Sequence, residues 1–243
     1  MKLSNLIVER LTSVNQDVDM IYKQYFKDAY DYIKQTGEVD HSLLRSGTIG
    51  SDVLRSRMAK KADQLNHIKI NLNNGRNNTY TPKAPSYIDL NIHTGAWQLA
   101  EQFGSIENAA ESVGSQRDMF LTEFEPYRMK GTIHHELNHW IDDTLHNNHI
   151  EQHVNKSVAK GRPTQDNQGP IERNSQIHNI VQLKRHLKGE WDTLSFDKMV
   201  QMIPGLLTIA DSLSPEEYNK WKRNLLNRMA REGLLGAGMR RAA

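Results

Sequence analysis

One ten-residue stretch, residues 131–140, reads GTIHHELNHW and holds three histidines and one glutamate. Apolar residues in and just after it recur at the spacing of one helix face: Ile133, Leu137, Trp140, Ile141 and Leu145. This periodicity predicts an amphipathic helix with a buried stripe, and Pro126, a residue type favoured in a first helical turn, predicts where the helix begins. The stretch is therefore expected to fold as a helix that carries His135, Glu136 and His139 on a flank beside its core-facing stripe.

His135, Glu136 and His139 match the pattern H-E-x-x-H. Histidines four positions apart lie one above the other on a helix, with Cβ atoms about 5–6 Å apart. Both rings can then reach one zinc ion at about 2.0–2.1 Å, and Glu136 is placed to take a proton from a zinc-bound water. A surface helix with incidental histidines is the alternative. Because the apolar stripe independently requires a helix here, the pattern favours zinc ligands at His135 and His139 and a general base at Glu136.

A third zinc ligand has to come from another segment. A catalytic zinc usually has three protein ligands and one open position, and Asp142 lies about 10 Å along a straight helix from His135, too far to share one ion. The chain contains no cysteine, so the ligand must be Asp, Glu or His. Glu172 and His178 are the candidates downstream, and His178 or His186 could instead stabilise an oxyanion.

The segments around His135 and Glu172 together resemble the gluzincins, the thermolysin-like group of zinc metallopeptidases. In that group H-E-x-x-H is followed by a helical motif of the type N-E-x-x-S-D. Here residues 171–176 read IERNSQ, so Ile171 replaces the expected Asn and Gln176 the expected Asp. Gln176 could accept a hydrogen bond from a ligand histidine but would add no charge. The resemblance covers these two motifs and an upstream strand, and does not extend over the whole chain.

The resemblance implies a zincin-like fold and zinc-dependent hydrolysis of a peptide or protein substrate. It implies zinc bound by His135, His139 and Glu172, with Glu136 as the general base that activates a water and then protonates the leaving amine. It also implies that the segment SYIDLNIH, residues 86–93, is an edge strand beside the substrate cleft. The alternative is a non-enzymatic structural or assembly protein, for example a virion component, that retains the metal site.

The remaining patterns predict a mainly helical α+β chain. Alternating apolar residues at 67–74 and 86–93 predict two strands that pair in a small antiparallel sheet beside the motif helix. Gly37 is expected to end a long first helix, and Ser214, Pro215 and Glu217 to begin the last one with a capping box. The tail from Gly233 onward is expected to be frayed. Helices are predicted at about 7–33, 51–66, 95–103, 105–113, 126–145, 171–187, 195–203, 206–213 and from 214 on.

The length of 243 residues permits one domain, and we predict a single zincin-like domain over 1–243. Its parts are N-terminal helices and the sheet (1–125), metal-site helices with a polar loop (126–194), and C-terminal helices (195–243). The loop is predicted within residues 146–170, which are polar and end in Gly and Pro.

Composition limits the partners and the location that the sequence predicts. The formal net charge is +2, so the chain has no strong basic field and a nucleic-acid partner is not expected. No apolar run long enough to span a membrane and no signal peptide is apparent. The sequence therefore predicts a protein of the cytoplasm, or of a virus particle assembled there. The striped N-terminal helix could bind an assembly partner, although a core-facing helix carries the same stripe.

Overall fold

The computed structural model describes residues 3–37, 40–43, 47–50, 65–71, 79–81, 86–91, 125–145 and 170–240, with four single residues between 108 and 118. The chain is mainly helical with one small mixed sheet, and therefore has the predicted α+β class. It divides into two compact units, Met1–Thr164 and Gln165–Ala243. The predicted segment 126–194 spans the boundary between these units, which are described separately below. Within the described ranges, no helix is long and apolar enough to cross a membrane.

The first unit begins with two helices, α1 (Leu3–Tyr25) and α2 (Lys27–Thr36). The predicted single helix is wrong in this respect, because the chain leaves helical geometry at Phe26, whose φ is −122°. Phe26 is buried and stacks on Tyr22, so the break turns an aromatic ring into the core. Gly37 ends α2 as predicted: its φ is 78°, and its N–H donates to the carbonyl of Ile33. A left-handed cap of this kind favours glycine.

Four strands form the sheet in the order β1-β2-β4-β3. Their bounds are β1 Gly47–Gly50, β2 Leu65–Asn71, β3 Thr79–Thr81 and β4 Ser86–Asn91. The two predicted strands, β2 and β4, are neighbours, but they pair in parallel, so the predicted antiparallel pairing is wrong. The reason is β3, which pairs antiparallel to β4 and reverses the chain once more between β2 and β4. Its three residues are too few to give an alternating pattern.

The position of β4 also corrects the prediction of an edge strand at 86–93. β4 lies inside the sheet, paired with β2 on one side and with β3 on the other. The strand at that edge is β3, and β1, which was not predicted, forms the opposite edge. Of the predicted helix 51–66, residues 51–64 lie outside the described residues, and Leu65 and Asn66 belong to β2. The helix 95–103 and the loop 146–169 also lie outside them, whereas Asn108 and Glu111 are helical.

The helix α3 (Pro126–Leu145) begins at the predicted proline and lies at the centre of the first unit. It packs against α1 on one side and against β3 and β4 on another. Lys130 joins it to α1 through an ion pair of 2.8 Å with Asp19, and the same ammonium lies 5.1 Å above the ring of Tyr22. The core combines side chains from α1, α2, α3 and the sheet, with Ile21, Ile68, Ile88 and Ile133 fully buried.

The second unit consists of helices. They are α4 (Pro170–Leu187), a 3-10 helix Lys188–Thr193, α5 (Phe196–Met202), α6 (Pro204–Asp211), α7 (Pro215–Arg231) and α8 (Ala237–Arg240). The predicted capping box of α7 is confirmed, because Ser214 and Glu217 bond each other's backbone N–H groups. Tyr218 donates a 2.9 Å hydrogen bond from its hydroxyl to Asp197. Burial, followed by this bond, raises the pKa of Tyr218 to about 12.

The C-terminal tail is docked, so the prediction of a frayed tail is wrong for the described residues up to 240. Leu234 and Met239 are buried, and the indole N–H of Trp191 donates to the carbonyl of Leu234 at 2.8 Å. Gly236 lies so close to Trp191 that an added Cβ would meet its carbonyl oxygen at 2.6 Å. Only a residue without a side chain fits this approach, so the small residues of the tail serve close packing instead of mobility.

Candidate metal site

The environment of the H-E-x-x-H motif is set by the central position of α3. None of the described side chains from Glu125 to Ile141 is exposed. His135, Glu136 and His139 are only 8%, 6% and 6% exposed. Burying polar side chains costs about 1–3 kcal/mol each unless they are partnered. The alternative of a surface helix is therefore wrong, and the motif occupies a place where polar groups require partners, whereas metal binding by its histidines stays a prediction.

The two motif histidines meet as the four-residue spacing predicts. Their Nε2 atoms lie 3.0 Å apart, and the ring centroids are 4.6 Å apart with the ring planes at 85°. One ring can donate to the other, or both nitrogens can turn their lone pairs toward one cation. Two nitrogens bound to a tetrahedral ion by bonds of about 2.0–2.1 Å lie about 3.3 Å apart. Zinc therefore fits this pair after a change of about 0.3 Å, which a small rotation of the rings supplies.

Glu136 lies on a neighbouring flank of α3, one residue after the first histidine. Consecutive helical residues are separated by about 100°, so its side chain leaves the helix about 100° around the axis from that of His135. Its burial keeps bulk water away from the carboxylate. This arrangement suits a base that acts on a molecule beside the histidine pair better than it suits a third ligand.

The predicted third ligand lies in the other unit. Glu172 is in the first turn of α4, and its side chain lies outside the described residues. Among the residues that the structure describes, no group of three or more His, Cys, Asp or Glu could hold a metal ion. His135 and His139 are thus brought together, while Glu172 as their third partner stays a prediction from the sequence.

The other predicted residues of α4 have local environments of their own. The side-chain oxygen of Gln176 accepts a 2.8 Å hydrogen bond from Asn179, and its amide packs so tightly against Gly205 that a Cβ there would lie 2.5 Å away. Gln176 is therefore already held within the second unit. His178 is half-buried and belongs to no metal-binding group of the described residues, and His186 is exposed.

Two buried polar groups of α3 were missed by sequence reasoning. His134, which the motif does not include, is the most buried of the three histidines at 1% exposed. The indole Nε1 of Trp140 is buried and has no hydrogen-bond partner among the described residues. A helix that packs on two sides buries residues outside its apolar stripe, and the stripe alone does not indicate a second packed side.

Comparison with known proteins identified no relative of this chain. No protein-family model matches the chain, and neither a curated protein nor a solved structure matches it.

Proposed function

We propose that the chain is a zinc-dependent metallopeptidase of the zincin type. The observation that carries this proposal is the buried pair of Nε2 atoms, 3.0 Å apart, on a helix that also buries Glu136. Two imidazoles converging at this distance suit zinc, which prefers nitrogen and oxygen ligands where thiolates are absent. The substrate is then a peptide or protein.

In this proposal the residues of α3 have separate tasks. His135 and His139 hold the cation, since each presents one ring nitrogen toward the other. When bound, zinc acts as a Lewis acid that makes a water nucleophilic near neutral pH. Glu136 accepts the proton of that water and returns it to the leaving amine. The low exposure of these side chains strengthens the electrostatic interactions among them.

Glu172 completes the ligand set in this proposal. Two points support it: a carboxylate in the first turn of a helix, and the E-x-x-S spacing to Ser175, which is buried. His178 is the rival ligand. The two choices predict opposite effects on zinc affinity for alanine variants of Glu172 and His178.

The test separates the metal from the reaction. Zinc content is measured in the purified chain, and hydrolysis of a fluorogenic peptide library is followed with and without a chelator. Glu136→Gln should retain zinc and lose about 10²–10⁴-fold in turnover, because a positioned base contributes that much. His135→Ala should lose zinc itself, whereas His186→Ala, the same change at an exposed histidine, should retain it. Zinc-loaded wild type without hydrolysis, or Glu136→Gln with unchanged turnover, would contradict the proposed mechanism.

A structural zinc is the second candidate, and the burial of the motif favours it. A non-enzymatic assembly protein, such as a virion component, would close the coordination shell with four protein ligands, whereas a catalytic zinc keeps one position for water. X-ray absorption of the zinc-loaded chain counts these ligands directly. Four protein ligands together with no hydrolysis would favour the structural role.

A further inference from the structure

An open groove of about 460 Å³ runs along α7 in the second unit. We call it the α7 groove, and it is lined by Leu213, Lys220, Trp221, Asn224, Arg228 and Arg231 among others. Lys220, Asn224, Arg228 and Arg231 follow one another in steps of four, four and three, so they form one row along the helix. From Lys220 to Arg231 the row spans 11 helical steps, or about 16 Å at 1.5 Å per step. The groove thus combines three cationic side chains of this row with the aromatic ring of Trp221.

The charges of the α7 groove are only partly neutralised within the chain. Arg228 pairs with Glu232 at 2.9 Å. The one carboxylate of the lining, Glu217, is bonded to Ser214 in the capping box. Lys220 and Arg231 are exposed and form no ion pair with the residues that the structure describes. The lining and its ion pair thus hold three cations, Lys220, Arg228 and Arg231, against two carboxylates, Glu217 and Glu232, so the groove keeps a small net positive charge.

The positive charge of the chain is concentrated in the second unit. Residues 165–243 contain 12 Lys and Arg against 9 Asp and Glu, a balance of +3, whereas residues 1–164 contain 19 against 20. The helix α7 alone has five basic and two acidic residues. A ligand of negative charge is thus attracted to this unit more than to the first, although the whole chain is close to neutral.

The groove also has an apolar side. Trp221 packs against the rings of Phe196 and Tyr218, with centroids 5.8 and 5.6 Å away. These contacts fix the indole in the wall of the groove, where Leu213 lies half-buried beside it. A fixed aromatic ring loses little conformational entropy on binding, which is why such rings serve as anchors at protein interfaces.

We infer that the α7 groove binds an acidic segment of a partner protein, with carboxylates toward Lys220 and Arg231 and an apolar side chain against Trp221. An extended segment of about five residues matches the 16 Å row at 3.3 Å per residue. Nucleic acid is the less suited polyanion. A nucleic-acid surface usually has a strong basic excess, whereas this unit has a balance of +3 and the groove lining has three cations beside the carboxylate of Glu217.

The experiment measures binding of the full chain to a fluorescein-labelled peptide of alternating Glu and Leu by fluorescence anisotropy. The same peptide with Gln in place of Glu, and a single-stranded oligonucleotide of equal charge, serve as the other probes. The test variants are Lys220→Gln and Arg231→Gln, both at exposed positions where folding is not at risk. Arg223→Gln is the matched control, since Arg223 is exposed on α7 but does not line the groove.

We expect the Glu peptide to bind more tightly than the Gln peptide and to weaken as salt is raised. Each groove variant should weaken it about two- to fivefold, the size of an exposed charge pair, and the control should bind as the wild type does. The inference is overturned if the Glu peptide does not bind, or if Arg223→Gln weakens it as much as the groove variants do. It is also overturned if the oligonucleotide binds more tightly and loses affinity in the same two variants.

Discussion

Leu137→Ala tests whether α3 is the central helix on which the histidine pair depends. Leu137 is the residue between Glu136 and Asn138 in the motif, and it is 1% exposed within the core of the first unit. Replacing a fully buried leucine by alanine costs about 2.7–5.0 kcal/mol, increasing with the cavity that remains. Because α3 is held by α1 on one side and by the sheet on another, the site cannot collapse easily. We therefore expect a loss of about 3–4 kcal/mol in the free energy of unfolding.

The matched control is Leu207→Ala. Leu207 undergoes the same chemical change but is the exposed large hydrophobic residue of the described chain, at 37% exposure. Its truncation should cost clearly less than that of Leu137, since more than a third of its surface stays in water and a partly open site leaves no closed cavity.

The assay is scanning calorimetry of chelator-treated protein, so that no bound metal contributes to stability. For a unit of this size, 1 kcal/mol corresponds to about 2–4 °C in Tm, so Leu137→Ala should lower the Tm of the first unit by about 6–16 °C. If the two units melt separately, the second transition should stay in place. A loss below about 1 kcal/mol, or one equal to that of Leu207→Ala, would refute the central position of α3.

Three further predictions concern other parts of the chain. Glu172→Ala should weaken zinc binding by more than the roughly 10–100-fold typical of residues that only hydrogen-bond to a ligand, whereas His178→Ala should leave zinc binding nearly intact. Competition with a chelator measures both affinities. If His178→Ala loses zinc and Glu172→Ala keeps it, the third ligand is the histidine. The pKa of Tyr218 is raised from 10.0 to about 12, so its contribution to stability is complete below pH 10 and lost as pH rises through 12. Solvent exposure limits this contribution to about 1 kcal/mol or less. Between pH 10 and 12 the free energy of unfolding, measured by denaturant titration, should therefore fall less in Tyr218→Phe than in the wild type. Gly236→Ala should undock the tail because a Cβ meets Trp191, which limited proteolysis would detect as cleavage after the last long helix; full resistance would contradict it.

Local signals in the sequence predicted the ends of several helices correctly. Pro126, Gly37 and the box of Ser214 and Glu217 each act through their own backbone geometry or hydrogen bonds. The meeting of His135 and His139 was predictable for the same reason, since four-residue spacing on a helix fixes the distance between side chains.

The features that failed depend on distant contacts. The parallel pairing of β2 with β4 depends on β3, whose three residues carry no period. The docked tail depends on Trp191, which lies 43 residues before the carbonyl it binds. Burial of the motif on every described flank results from α1 and the sheet together, and no pattern within α3 indicates how many neighbours it has. Secondary-structure propensity and the spacing of apolar residues are properties of a single segment, whereas these features depend on contacts between two segments.

The central position of α3 has a consequence for the order of events during folding. From Ile133 to Ile141 every side chain of this helix is buried except that of Asn138, which is half-buried, so the amide protons of this stretch exchange with water only when the first unit opens. We expect the amides of residues 133–141 to be among the slowest to exchange in the first unit, at a rate set by its complete unfolding. A nascent chain would bring His135 and His139 together as soon as α3 forms, but would bury them only after α1 and the sheet had assembled around that helix. A metal ion bound there would therefore be enclosed late, by a unit that had already reached its final topology.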